Sequence, residues 1–420
     1  MAADDSNSVS DTALNVQNTN LSSAVPTESS QNYTITPDPI ISGTVTQCGS
    51  TDPFPGVNVT VCDVNGNILA STITDQNGFY TVAFLSDQTT FKVIAHLVGH
   101  IPDSKDVTVS PNPNDPSDPN LYATADLELG PFAIFLNHGS SNMNTIDAVS
   151  DSEYGPFASL AQSHPVDVAI TPDGKTAVIA CWGHITYFVD ITDPTNPSVI
   201  GSVSNPNINS AYVSLTPDGK YALVTGLGPP GVIYVIEVAT RTLVYTYIDP
   251  TTNLFGVGVV PDGQTVIATK YDTNQVNILT IDPSSGLLTS LYTLSTGLGP
   301  SSVAISPDGR TALVTNQNGA SVSVLRIDGV GNVVVSQPPI TGLPGNPTSI
   351  AFSPDGTKAY VTCYPNTIAL LNVTGPGIVS DSGITISLPG TSNVGGGKMI
   401  AVSPDGTKAD RKSTRLNSSH

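Results

Sequence analysis

Ser306-Pro307-Asp308-Gly309-Arg310-Thr311-Ala312-Leu313-Val314-Thr315 decides the fold of this chain, because it recurs. The same pattern reads TPDGKTAVIA from Thr171, TPDGKYALVT from Thr216, VPDGQTVIAT from Val260, SPDGTKAYVT from Ser353 and SPDGTKAD from Ser403. The prolines stand at 172, 217, 261, 307, 354 and 404, a spacing of 44 to 50 residues. That is the length of one four-stranded propeller blade rather than of a helical or leucine-rich repeat.

Each repeat reads strand by strand. The second residue before Pro-Asp-Gly is large and apolar in every copy (Ile170, Leu215, Val259, Ile305, Phe352, Val402), and so is the fourth (Val168, Val213, Val257, Val303, Ile350, Ile400). Between them stands a small residue: Ala169, Ser214, Gly258, Ala304, Ala351 or Ala401. Strict alternation of large and small predicts a strand with two differently packed faces, and the small face suits an innermost strand where blades converge. Pro-Asp-Gly then predicts the turn: proline presets φ, aspartate bonds nearby backbone, and glycine takes the left-handed conformation. A second strand follows at once, as in Ala222-Leu223-Val224-Thr225, and a third, such as Ser321-Val322-Ser323-Val324-Leu325, lies behind a short turn.

These residues resemble the YVTN-type β-propeller repeats of surface-layer and other exported proteins, over residues 131–409. Ala133-Ile134-Phe135-Leu136-Asn137 aligns with Ala312 to Asn316 and opens an incomplete first unit. The resemblance implies seven blades. The chain itself carries six first strands and six second strands, so six blades or an incomplete seventh are both readable. In a six-bladed ring the strand at Lys398 to Val402 would pair with Phe132 to Asn137. Ser403 to Ala409 instead commits to a further strand. The last eleven residues, DRKSTRLNSSH (410–420), match the translation of a sequencing adapter and are set aside from the fold.

Upstream of the repeats, residues 1–36 are rich in Ser, Asn and Thr without an apolar period and read as a disordered linker. From 37 to 130 short alternating strands are joined by turns at Asn65-Gly66 and Asn77-Gly78. The order Gly43-Thr44-Val45, Pro55-Gly56, then Asp75-Gln76-Asn77-Gly78-Phe79-Tyr80 resembles the carboxypeptidase regulatory-like domain. That resemblance implies a small transthyretin-like β-sandwich serving as stalk or spacer, with no zinc site of its own. The expected fold is therefore all-β, a small β-sandwich followed by a β-propeller.

Composition leans toward export: charged residues are 11% of the chain, and Gly and Pro number 37 and 34. Ala2-Ala3-Asp4-Asp5 resembles the residues after a signal-peptidase cut, yet no charged and apolar leader precedes it; an extracellular or cell-surface location is expected, with a cytoplasmic one as the alternative. The formal net charge is −20, which opposes nucleic acid and anionic membrane surfaces, and no apolar run reaches the roughly 18 residues of a membrane helix. Cys48 and Cys62 flank the first loop of the sandwich and form a candidate disulfide in an oxidising compartment. Cys181 and Cys363 belong to well-separated blades and read as free core thiols.

No catalytic, cofactor or metal site is readable. Outside the adapter there are five histidines and four glutamates, Glu28, Glu128, Glu153 and Glu237, a thin supply of general acids and bases. The recurring aspartates spread over separate blades and fit turns rather than calcium, and Asp63 and Asp75 open hairpins. The candidate partner contacts are His138, His164, His184 and Trp182, the sole tryptophan, all in propeller loops. The expected role is a surface interaction or adhesion scaffold binding protein or carbohydrate. The alternative, which rests on the likeness of such repeats to lactonase-like and quinoprotein-like propellers, is an enzyme.

Overall fold

The computed structural model describes residues 39–47, 51–387, 399–402 and 409–411, apart from 87, 98–99, 113, 116, 119, 148–151, 158–159, 161–162 and 207–208. The described secondary structure is strand and turn throughout, without a helix. Residues 1–36, Cys48, the sixth Pro-Asp-Gly and 412–420 lie outside the described residues.

The sandwich pairs two sheets. Pro39–Gln47 lies between Phe79–Ala83, antiparallel, and Leu121–Thr124, parallel. The facing sheet runs Ile68–Ile73, Asn58–Cys62, Thr90–His96, Asp103–Thr108, each pair antiparallel. Alternate residues Ile41, Val45, Val59, Val61, Phe91 and Val93 fill the space between, as a period of two requires. The glycine and tyrosine of the sequence motif have physical reasons. A Cβ on Gly43 would stand 2.0 Å from Ala125 O, and one on Gly78 (φ +69°) 2.4 Å from Val45 O. Tyr80 is buried and donates to Ala125 O at 2.6 Å, while burial pushes its phenol well above its ordinary pKa. Asp75 Oδ1 accepts from the amides of Asn77 and Phe79 at 2.8 and 2.9 Å, so this carboxylate holds a hairpin.

The sandwich runs into the repeats through one strand, Leu127–Asn137. Its residues 127–129 pair with Val45–Gln47, 130–131 with His100–Ile101, and 132–137 with Asn142–Asp147. The sequence boundary at 130/131 thus falls where the strand changes partners. His96 Nε2, 3.1 Å from Thr192 O, adds a contact between the two parts.

With Glu153–Phe157, Leu127–Asn137 and Asn142–Asp147 make a leading three-stranded unit. Five complete four-stranded blades follow, here blade A (165–204), B (209–249), C (254–295), D (300–340) and E (346–387). Each first strand packs against the next. After blade E, Ile400–Val402 pairs with Ala409–Arg411. Among the described residues the six-blade pairing of Ile400–Val402 with Phe132–Asn137 is not made, and Asp410 and Arg411, set aside as adapter, pair with Ala401 and Ile400 in this hairpin.

The second strands are apolar at almost every position because both faces are covered. In blade B, Ala222 and Val224 pack with Val178, Ala180 and Phe188 of blade A, whereas Tyr221 and Leu223 pack with Val257, Val266 and Leu279 of blade C. Blades C and D repeat the rule, Ala312 and Val314 facing Ile267 and Ile278, Leu313 facing Val361 and Leu371.

The first strands bulge in all five blades. In blades B, C and D the amide at the bulge bonds a second-strand threonine: Tyr212 N to Thr225 Oγ1 at 3.2 Å, Gly256 N to Thr269 Oγ1 at 2.8 Å and Ser302 N to Thr315 Oγ1 at 3.0 Å. First strands are also stitched side by side, Val213 N donating to Asp167 Oδ2 at 2.8 Å and Val259 N to Ser214 Oγ at 3.2 Å. The small third place reflects this approach, since a Cβ on Gly258 would meet Ile305 and Val303 at 3.3 and 3.4 Å.

Every described Pro-Asp-Gly does what the sequence implies. Thr171, Thr216, Ser306 and Ser353 hydroxyls donate to Asp173, Asp218, Asp308 and Asp355, and the carboxylates accept the amide two residues on. The glycines at 174, 219, 263, 309 and 356 have φ between +69° and +75°. Successive turns touch: a Cβ on Gly219 would stand 2.9 Å from Pro172 Cδ, whereas one on Gly263 would meet nothing within 4 Å. Left-handed strain costs about 1–2 kcal/mol for a residue with a Cβ. Gly263→Ala should lower the melting temperature by that term alone and Gly219→Ala by more; equal losses in a thermal melt would refute the contact.

The Ser353 hydroxyl, then the amide and hydroxyl of Thr357, hold the Asp355 carboxyl down to about 2. The unfolded chain titrates near the ordinary value of about 3.9, so this stabilisation is complete above that pH and is lost as pH falls through the folded value. The melting-temperature gap between wild type and Asp355→Asn should close between about pH 4 and pH 2. A constant gap over that range would contradict the assignment.

Candidate functional site

In an up-and-down blade the first-to-second and third-to-fourth turns lie at one end, and the second-to-third corners lie at the other with the entries to the first strands. The Pro-Asp-Gly turns occupy the first end. The opposite end carries all four histidine and tryptophan residues singled out from sequence.

Three of them meet. The His138 and His164 rings stack with centroids 4.9 Å apart at 29°, and Trp182 packs edge-on against His138 at 4.8 Å and 89°. Trp182 follows the second strand of blade A, Thr176–Cys181, and His138 follows the matching strand of the leading unit. Backbone bonds join the pieces: Trp182 N donates to His164 O at 3.1 Å, Gly183 N to Ser163 O at 2.9 Å. Gly183 is required by this approach, since its Cβ would stand 3.0 Å from Ser163 Cα. His164 Nδ1 lies 2.9 Å from His138 O, which favours the tautomer protonated there. His164 adopts φ 52° and His184 φ 59°, left-handed conformations uncommon for residues with a Cβ. His184 is exposed at the same corner. Trp182 remains 40% exposed despite its packing, so part of its surface is open to solvent.

Sequence reading missed two equivalent residues. Trp182 is the tenth residue after its Pro-Asp-Gly proline. The tenth places elsewhere hold Leu227, Tyr271, Gln317 and Tyr364, and the aligned position in the leading unit is His138. Four of six corners thus carry a ring, a signal that lay in the repeat alignment. Tyr364 is 43% exposed. Tyr271 stacks on Phe255 with centroids 4.6 Å apart at 24°, and its hydroxyl accepts from Asn318 Nδ2 at 3.1 Å. Beside it Asp272 Oδ2 accepts from Asn253 N and Nδ2, both at 2.8 Å.

The place before the ring faces the preceding blade and holds Cys181, Gly226, Lys270, Asn316 and Cys363. Cys181 and Cys363 are buried thiols outside any disulfide, as their blade positions imply, and donate to Ile179 O and Val361 O at 3.9 and 3.7 Å. Lys270 Nζ pairs with Asp249 Oδ2 at 3.0 Å in the seam between blades B and C. Burial alone would raise the Asp249 carboxyl, but bonds from Thr251 and Lys270 outweigh it and hold it below the ordinary range. Burial, with Asp167 nearby, pushes the Tyr212 phenol up on the neighbouring first strand. Among the described residues no three of His, Cys, Asp and Glu converge to hold a metal. Cys62 is buried in Asn58–Cys62, and its candidate partner Cys48 lies outside the described residues.

Residues 40–121 match the family model of the carboxypeptidase regulatory-like domain, and residues 237–337 match that of the lactonase, 7-bladed beta-propeller. Together they support an all-β chain with a carboxypeptidase regulatory-like domain followed by a propeller. No curated protein matches the chain. Among solved structures, a functionally unknown protein from Desulfotomaculum acetoxidans DSM 771 is similar with a TM-score of 0.56 and 21% identity, over 66% of this chain and 83% of that one. A protein from Lactobacillus plantarum gives 0.52 and 18%, over 61% and 82%. The mitotic checkpoint complex gives 0.52 and 14%, over 65% and 79%. At these identities the likeness shows the fold alone.

Trp182 emission reports the stack directly, because the chain has one tryptophan. His138→Ala should shift that emission to the red and raise its quenching by acrylamide as water reaches the indole edge. An unchanged spectrum would contradict the packing of His138 on Trp182.

Proposed function

We propose that the chain is a surface-displayed binding module, its sandwich a spacer and its ring-bearing propeller face the contact surface. The observation that carries this reading is the recurrence of an aromatic ring at one corner, at His138, Trp182, Tyr271 and Tyr364. Exposed aromatic faces offer large contact area at small entropic cost and dominate binding surfaces. Rings held in advance by neighbours, Trp182 by His138 and Tyr271 by Phe255 and Asn318, lose less freedom on binding. A low charge content and a Ser, Thr and Asn surface favour an extracellular or cell-surface setting, and the strand Leu127–Asn137 shared with the sandwich suits a stiff spacer.

A lactonase-like hydrolase is the second reading, favoured by the family match over residues 237–337. That span holds Lys270, Asp249, Tyr271 and Asp272. Two measurements separate the readings. The protein should co-sediment with bacterial or archaeal cell envelopes, and Trp182→Ala with Tyr364→Ala should abolish this while leaving the melting temperature within a few degrees. Sugar lactones should hydrolyse no faster than in buffer. Ring-independent sedimentation, or lactone turnover lost in Lys270→Met, would reverse the assignment.

A further inference from the structure

We infer that the ligand of the ring-bearing corners is a neutral polysaccharide, engaged at more than one corner by successive parts of the same strand. This rests on the proposal that the corner face is the binding face, and adds the chemical class of what binds there. The first argument is periodicity. A ring appears at the same structural position in the leading unit and in blades A, C and E; His138 holds Trp182, and Trp182, Tyr271 and Tyr364 present one kind of subsite in three blades. A ligand that fits a repeated subsite is itself a repeat, which a polysaccharide is and the surface of a folded protein is not.

The second argument is the chemistry of each corner. The axial C–H bonds on one face of a pyranose carry slight positive charge and lie flat on the negative face of an aromatic quadrupole, while the ring hydroxyls need donors and acceptors at the edge. Trp182 and Tyr364 keep 40% and 43% of their surface in water. At the Tyr271 corner the ring hydroxyl meets the amide of Asn318, and the next residue, Asp272, is exposed and bonded to Asn253. A flat apolar face with polar side chains close by suits a sugar, whose hydroxyls need donors and acceptors beside the ring.

The third argument is charge. The chain carries 34 acidic and 14 basic residues, so an anionic polymer would be repelled over the whole approach. One ring and a few hydrogen bonds bind a single sugar weakly. Once a strand is held at one corner, its next segment meets the second corner at an effective concentration of about the millimolar order, so affinity rises steeply with chain length.

The test titrates the full chain by calorimetry with glucose-, mannose- and N-acetylglucosamine-based oligomers of increasing length, with oligogalacturonates as the anionic arm. At least one neutral series should gain tenfold or more in affinity from short to long members, and the anionic series should bind more weakly. Trp182→Ala should cost the long oligomer tenfold or more, while Trp182→Tyr, which keeps a ring, should restore most of it. Tyr364→Ala and Tyr271→Ala should weaken only the long members. Affinity independent of length overturns the multi-corner engagement, stronger binding of the anionic series overturns the charge argument, and no binding by any neutral series overturns the ligand class. Ring-dependent sedimentation with envelopes alongside the last of these failures leaves the corner face as the binding face and rejects only the neutral saccharide.

Discussion

Burial between neighbouring blades is the constraint on which the rest of this structure depends. A single blade is a four-stranded sheet with two apolar faces, and nothing inside the blade covers either. Each second strand resolves this by sending alternate residues to opposite neighbours. Ala222 and Val224 go to one seam, Tyr221 and Leu223 to the other, and all four are nearly inaccessible to water. Truncating such a residue leaves a cavity that two blades share, so a loss of about 2–5 kcal/mol for Leu223→Ala would be felt on both sides of the seam.

The seams explain why the turns and bulges recur with so little variation. Blades covered on both sides cannot shift in register without exchanging their two faces, because side chains alternate with a period of two. The Pro-Asp-Gly turn fixes the register of first and second strand. The bulge then takes up the residue that brings the first strands close along the axis, and Thr225, Thr269 and Thr315 bond the amides it leaves. Asp167 and Ser214 carry the same bonding from one blade to the next.

These local devices were legible in the sequence because each is confined to a few adjacent residues. Period, turn, left-handed glycine and the small third place all follow from patterns shorter than one hairpin. That one continuous strand joins sandwich and propeller was not legible. Gly130-Pro131 carries the punctuation of a linker, yet it lies inside Leu127–Asn137 at the point where that strand leaves Val45–Gln47 and His100–Ile101 for Asn142–Asp147. Proline is tolerated there because the strand is changing partners, a fact that lies in pairings 30 to 80 residues away. The further strand after Ile400–Val402 was expected, but two of its residues, Asp410 and Arg411, were read as foreign, and their backbone amides and carbonyls pair regardless of origin.

The candidate site was half legible, and the division is informative. His138, His164 and Trp182 stood out as rare residue types, but their contact did not, since His164 precedes one first strand and the other two close corners of different blades. Tyr271 and Tyr364 drew no attention because tyrosine is ordinary in a strand protein. Only alignment of the repeats puts them in register with Trp182. The two ends of the blades differ in what constrains them. Turns at the Pro-Asp-Gly end touch one another, as Gly219 and Pro172 do, and so resist change. The corner position stands at the end of the seam, makes ring contacts with its neighbours at His138, Trp182 and Tyr271, and holds His, Trp, Leu, Tyr, Gln or Tyr in turn. Variation of the side chain from blade to blade is what lets this end carry recognition, and rings kept in water at Trp182 and Tyr364 are a feature that stability does not require.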